Sequence, residues 1–399
     1  MMSSKSKYAI LVGDGMADFP IAALDNKTPL EWARTPNMDK VVESGRTGLA
    51  ATVPEGLPPG SDVANMSLMG YDPLKYYCGR APIEAASMGV ELGEGDIAFR
   101  CNLVTLRQGI MEDYSAGHID NDDATELITL LEKELGNKNV KFYPGISYRH
   151  LVVLKGIKAD LNCTPPHDIS GRLFADALPR GQGSEEVKGL MQRASQILSD
   201  AAINKRRKES GKLPATDIWL WGQGPSIKLP DLKERFGLSG SVISAVDLVR
   251  GLGKLTGLNV RIVEGATGYL GTNYAGKVSA ARDALMNEDF VYLHVEAPDE
   301  TSHEGSLEKK ILAIEEFDQF LVGEMIKIQE QIKNLRILVM PDHATPVSLK
   351  THHAAPVPFG VSGAGIKRDA ALAYNEKAAS GYEPISGPSL FEAFIKGTL

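Results

Sequence analysis

The stretch Leu335-Arg336-Ile337-Leu338-Val339-Met340 runs into Pro341-Asp342-His343-Ala344-Thr345-Pro346, and Thr351-His352-His353-Ala354-Ala355-Pro356 follows a few residues on. An apolar, partly β-branched run stopped by proline and followed at once by Asp-His reads as a buried parallel strand whose C-terminal end presents two metal-capable side chains. Open α/β sheets place their sites at such strand ends. His303, His343, His352 and His353, four of the chain's eight histidines, lie in this part of the chain.

The same pattern recurs outward from that stretch. Phe290-Val291-Tyr292-Leu293-His294-Val295-Glu296-Ala297-Pro298 is a strand ended by proline, and Asp299 and His303 stand four apart behind it. That spacing puts both on one side of a helical turn, where they can close on a single ion, and a carboxylate with an imidazole suits a transition ion such as manganese or zinc. His294, inside the strand, reads as a core or supporting histidine, and His353 as a spare beside His352. Near the start, Tyr8-Ala9-Ile10-Leu11-Val12 is a buried strand ending at Gly13-Asp14-Gly15. Flanking glycines let Asp14 approach a cation closely, although on this segment alone it reads equally as a turn cap.

Between these strands, Thr35-Pro36-Asn37-Met38-Asp39 opens a helix with Thr35 as its expected N-cap. Gly60-Ser61 opens another, running to about Gly70. A serine among the unpaired N–H groups of a helix start can hold or attack a phosphate. It is also a favoured cap, and the segment alone favours that reading. From about Tyr77 to Ala215 the strands shorten and interleave with amphipathic helices at Asp122 to Leu135 and Glu185 to Ala201, which predicts a separate α+β layer. Arg80, Arg100, Arg149, His150 and the loop Asp168-Ile169-Ser170-Gly171-Arg172 could read an anionic substrate there, although each alone reads first as a surface or salt-bridge residue. Asp217 to Gly224 then reads as a strand and turn of the resumed doubly wound sheet. The loop Glu264-Gly265-Ala266-Thr267-Gly268-Tyr269 lacks the endings of a P-loop or a dinucleotide fingerprint.

Composition narrows the classes. The 399 residues are 43% hydrophobic and 24% charged with net charge -8, an ordinary globular balance that argues against a nucleic-acid surface. The short basic run Lys205-Arg206-Arg207-Lys208 reads as a solvated helix face. Three scattered cysteines, Cys78, Cys101 and Cys163, indicate neither a disulfide framework nor a zinc ribbon. No apolar run approaches the ~20 residues that span a bilayer, so the expected location is the cytoplasm with no membrane partner. Nothing in the sequence assigns an oligomeric state.

Asp14, Ser61, Asp299, His303, Asp342, His343 and His352 therefore all fall at strand or helix ends, which a parallel sheet directs to one rim. Their order, with Thr35-Pro36-Asn37-Met38-Asp39 and Pro356-Val357-Pro358-Phe359, resembles the alkaline phosphatase superfamily, and within it the archaeal type of cofactor-independent phosphoglycerate mutase, over nearly the whole chain. The resemblance implies an α/β, alkaline-phosphatase-like, mostly parallel doubly wound sheet (1–76 and 216–399) with an inserted α+β cap domain (77–215) that binds the glycerate. It implies that Ser61 is phosphorylated during turnover. It places one divalent metal on Asp14, Ser61, Asp342 and His343 and a second on Asp299, His303 and His352. Manganese is the first choice of metal, with zinc, cobalt or magnesium as alternatives, and no 2,3-bisphosphoglycerate is required. The expected small-molecule substrate is phosphoglycerate. The bacterial form's cap Asp-Gly-Arg-Asp motif is matched here only by the differently spaced Asp168 to Arg172 loop, and Lys277 is the candidate for its lysine. Arg100, Arg149, His150, Asp168, Arg172 and Lys277 make up the expected substrate contacts. The alternative activities are those of a metal-dependent phosphatase or a homoserine kinase-like phosphotransferase.

Overall fold

A computed structural model describes residues 6–157 and 160–399. The chain begins with β1 (Lys7–Gly13) and β2 (Arg46–Ala51) and then leaves for a second compact unit, Cys78–Ile227. That unit holds β3 (Asp96–Arg107), β4 (Ile110–Asp113), β5 (Val140–Ile146), β6 (Arg149–Lys155), β7 (Asp160–Asn162), β8 (Arg180–Gln182) and β9 (Asp217–Pro225). From Lys228 the chain rejoins the first unit with β10 (Gly240–Ile243), β11 (Asn259–Val260), β12 (Phe290–Val295), β13 (Leu335–Met340), β14 (Val357–Gly363) and β15 (Ile385–Ser386).

The first unit is built on one sheet in the order β11-β10-β12-β1-β13-β14-β2-β15. Only β14 runs against its neighbours, and every other pair is parallel, so the expected mostly parallel sheet is what forms. The three central strands are apolar on both faces because both faces are covered. Ala9, Leu11, Val291, Leu293, Val295, Ile337 and Val339 point into one core, where they meet Ile314, Phe317, Leu321 and Met325. The two-residue period of a strand sends Tyr292 and His294 to the other face, where both are completely buried.

The helix over the first face runs Leu307–Glu316, passes through a π-helical turn at Phe317–Val322 and continues as Gly323–Gln331. That turn corrects one expectation. Thr35 makes no side-chain capping bond at the start of helix Pro36–Glu43. Asp318 caps that helix from across the core instead: its Oδ1 accepts from the Met38 amide at 2.7 Å, and its Oδ2 accepts from the Asn37 amide at 3.3 Å and from Asn37 Nδ2 at 2.8 Å.

In the inserted unit β3 pairs antiparallel with both β6 and β9, and helices Asn121–Leu135 and Ser184–Asp200 pack on one face through Leu127, Leu131, Leu190 and Leu198. Here a second expectation is corrected. β9 does not return to the large sheet but zips along β3 from Ile97↔Pro225 to Val104↔Asp217, which carries the unit on to Ile227. Its tryptophans fasten it there, Trp219 donating to Thr164 O at 2.8 Å and Trp221 to Asn102 Oδ1 at 3.0 Å. The basic run is also only partly solvated: Arg207 is buried, with its guanidinium on Asp123 at 2.9 Å and on Ala116 O at 3.0 Å. No helix among the described residues is long and apolar enough to cross a membrane.

Removing the remote cap leaves buried amides without an acceptor. Asp318→Ala is expected to destabilise the protein by about 2 kcal/mol. The measurement is the urea midpoint at unchanged slope, and an unmoved midpoint would remove Asp318 from the capping role.

Candidate active site

β1 lies between β12 and β13 in a register that pairs Gly13 with Val295 and Val12 with Met340, so the three strands end level. Whatever follows them emerges at one rim: Asp14 after β1, Glu296 after β12, and Asp342 two residues beyond β13. Gly15 takes φ 64°, and a Cβ there would lie 2.6 Å from both Asp299 Oδ1 and Thr345 Oγ1. Only glycine lets the chain pass between these groups.

Three oxygen atoms converge on His343. Its Nε2 lies 3.2 Å from Ser61 Oγ, 3.4 Å from Asp14 Oδ1 and 3.4 Å from Asp342 Oδ2. Ser61 is the first residue of helix Ser61–Leu68, with Gly60 in the cap position and no side-chain capping bond, so its hydroxyl serves this cluster and not the helix. Asp342 is held rigidly. Its Oδ1 accepts from the Gly15 amide at 3.2 Å and its own neighbour's amide at 2.9 Å, while its Oδ2 accepts from Asn65 Nδ2 at 2.8 Å. Asn65 also donates to Ser61 O at 2.8 Å, and Tyr292 fixes its orientation by donating to its Oδ1 at 2.6 Å.

A second cluster stands beside the first. Helix Ala297–His303 brings His303 Nε2 to 3.0 Å from Asp299 Oδ2, and His352 Nε2 lies 3.6 Å from the same oxygen. The two imidazole nitrogens face each other at 3.0 Å. His303 Nδ1 lies 2.9 Å from Lys350 O, which can only accept, so Nδ1 keeps its proton and Nε2 is the nitrogen that can give its proton up to a cation. The rings of His343 and His352 are 4.3 Å apart, and they join the two clusters.

The donor chemistry fits cations. Asp14 Oδ1 is buried without a hydrogen-bond partner although it lies among metal-capable atoms. Two imidazole nitrogens converging on one carboxylate oxygen form a ligand set once a cation replaces the proton they share with it.

A family profile described as 2,3-bisphosphoglycerate-independent phosphoglycerate mutase matches residues 43–204. A protein of that name from Methanothrix thermoacetophila is 52% identical over 394 residues, 98% of this chain and 100% of its own length. Another of that name, from Methanosarcina acetivorans, is 55% identical over 357 residues, 89% of this chain and 90% of its own. The chain belongs to the 2,3-bisphosphoglycerate-independent phosphoglycerate mutase family. Among solved structures, a protein from Pyrococcus horikoshii superposes with TM-score 0.83 at 28% identity, covering 98% of this chain and 97% of its own. The cofactor-independent phosphoglycerate mutase from Thermoplasma acidophilum superposes with TM-score 0.66 at 26% identity, covering 98% and 99%.

The electrostatics of this family member's rim are those of too many buried anions. Burial, then the charges of Asp342, Glu296 and Asp299, hold the Asp14 carboxyl well above its usual range. Glu296 is pushed up to about 8 by burial and by Asp299. Burial also pushes His343 down and His294 down to about 4. In the second cluster burial is outweighed: the bonds from His303 and His352 hold Asp299 well below its usual range, and Asp299 lifts His303 to about 9.

Asn65, Tyr292, Glu296 and Thr345 were not expected at the site. Glu296 alone carried a sequence signal, since it follows a strand as directly as Asp14 does. His294 Nε2 lies 2.9 Å from Asp14 Oδ2, a contact that orients that carboxyl group. Lys277 is fully buried, and its ammonium donates to His294 O at 2.9 Å. The other expected contacts lie in the inserted unit. Arg100 is buried, stacked 4.3 Å over the Trp221 ring and paired with Glu84 at 3.0 Å. His150 accepts from the Gly145 amide at 3.0 Å, and burial pushes it down to about 3, so it is a neutral core ring. Arg149, Asp168 and Arg172 are exposed, and Asp168 lies 3.6 Å from His167.

The pairing of His303 with Asp299 makes the metal-stripped protein pH-sensitive. A raised histidine contributes stability that is full below its ordinary value of 6.5 and is lost as pH rises toward about 9, and depressed Asp299 loses its share only in acid, below 3.8. Melting temperature in the presence of chelator is therefore expected to fall across that alkaline window, and His303→Gln to flatten the profile. Wild-type melting indifferent to pH there would contradict the pairing.

Proposed function

We propose that the chain interconverts 3-phosphoglycerate and 2-phosphoglycerate through a phosphoserine on Ser61, without 2,3-bisphosphoglycerate. The observation that carries this reading is the placement of the hydroxyl of Ser61, a residue 6% exposed, at a helix start and 3.2 Å from the Nε2 of a histidine held neutral by burial. In this reading Asp14, Ser61, Asp342 and His343 hold one divalent ion, and Asp299, His303 and His352 hold the other. The mixed carboxylate and imidazole set favours manganese, with zinc, cobalt or magnesium as alternatives. When bound, the ions supply charge neutralisation for the phosphoryl oxygens and a lowered pKa for the serine hydroxyl.

The chain's own groups do the rest. Ser61 Oγ takes the phosphoryl group from the 3-position, with the first N–H groups of its helix facing the phosphate oxygens. Asn65 keeps Ser61 and Asp342 in fixed relation through its two amide bonds. The glycerate then presents its 2-hydroxyl, and Ser61 returns the group. Within the same reading the inserted unit binds the substrate, and its exposed Arg149 and Arg172 are the anion contacts.

Metal-stripped protein reloaded with manganese and given 3-phosphoglycerate alone is expected to form 2-phosphoglycerate, followed by phosphorus NMR. Ser61→Ala is expected to lower the rate by roughly ten-thousand-fold or more. Inorganic phosphate as the only product, or undiminished turnover in the variant, would overturn the reading.

A further inference from the structure

Thr345 stands two residues past His343 and is completely buried. Its Oγ1 lies 2.5 Å from Asp299 Oδ1 and 3.1 Å from His343 Nδ1, so one hydroxyl touches a member of each cluster. That hydroxyl owns a single proton. An ionised carboxylate can only accept, so the proton goes to Asp299, and the hydroxyl oxygen is left to accept from His343 Nδ1. The imidazole proton is then on Nδ1, and His343 Nε2 is bare where it faces Ser61 Oγ at 3.2 Å and Asp14 Oδ1 at 3.4 Å.

The backbone that carries this hydroxyl is pinned on both sides. Its amide donates to Ala17 O at 3.1 Å, and its carbonyl accepts from Lys310 Nζ at 2.9 Å. The fully buried Lys310 ammonium also donates to Asp18 Oδ2 at 2.9 Å and to Ala17 O at 3.2 Å, which ties the segment after β1 to the segment after β13. Gly15 closes the third side, leaving no room for a Cβ beside Thr345 Oγ1.

We propose that Thr345 is the positioning residue of this site: it selects the Nδ1–H tautomer of His343 and couples the two ligand sets through one hydroxyl. The proposal rests on the reading of His343 and Asp299 as cation ligands. Supporting partners of this kind typically change metal affinity 10–100-fold when they are removed.

The test reads the tautomer in the metal-free chain and the binding of manganese separately. Long-range proton–nitrogen NMR of the stripped wild-type protein, with the His343 signals assigned by their loss in His343→Gln, is expected to show a protonated Nδ1 and a bare Nε2. Thr345→Val is expected to lose that preference and to bind manganese, counted by electron paramagnetic resonance, about 10–100-fold more weakly. Thr345→Ser, which restores the hydroxyl, is expected to recover both. A wild-type His343 protonated at Nε2 overturns the proposal, as does a Thr345→Val chain with unchanged tautomer and affinity. Should the valine variant not fold, the wild-type spectrum and the serine variant still decide. A wild-type chain with the Nδ1–H ring and two bound manganese ions that leaves phosphoglycerate unchanged supports this assignment and overturns the mutase reading alone.

Discussion

The repulsion among carboxylates buried at one sheet rim is the constraint on which the rest of the structure turns. Asp14, Asp299 and Asp342 are each at most 3% exposed, and Glu296 joins them at the end of β12. Burial disfavours each charge, and each charge disfavours the others. The nearby lysines do not relieve this. Lys277 is spent on a backbone carbonyl and is pushed down to about 8 by burial, and Lys310 is spent on Asp18. Neutral contacts from Asn65, His294, Thr345 and the Gly15 amide orient the carboxylates without cancelling their charge. A site so arranged calls for positive charge from outside the chain, and its lone pairs point where that charge would sit.

The scaffold exists to hold those groups against their own repulsion. Three parallel strands ending level supply the rim, and a covered, apolar sheet makes the rim stiff. Remote polar contacts then fix the loops that leave it. The Lys310–Asp18 pair bonds the segments after β1 and β13, and Asp318 seats helix Pro36–Glu43 from the far side of the core. A buried ion pair of this kind is weak evidence for stability, and its evident role here is registry.

Much of this was legible in the sequence. β1, β12 and β13 are buried on both faces and therefore appear as uninterrupted apolar runs, and seven polar residues at strand or helix ends stand out as a group. The seven so marked do converge into two adjacent clusters in the structure. What escaped was set by partners distant in the chain. Asn65 and Thr345 look like ordinary polar residues until Asp342 and Asp299 arrive beside them, 277 and 46 residues away. Thr35 had the local look of a cap, but Asp318, 281 residues on from Asn37, took the position. β9 carries a strand signal that cannot say which sheet will accept it, and its antiparallel fit to β3 decided the matter. Arg207 sits in a basic run that reads as solvated, yet Asp123 and two carbonyls draw it inside.

The central claim is that the phosphoryl group rests on Ser61 between its two positions on the substrate. Rapid acid quenching of manganese-loaded protein with phosphorus-labelled 3-phosphoglycerate, followed by peptide mapping in a mass spectrometer, tests it most directly. The account predicts label on the peptide containing Ser61, lost on chasing with unlabelled substrate at a rate no slower than turnover. Product formation with label on another residue, or with no labelled residue at any time, would contradict it.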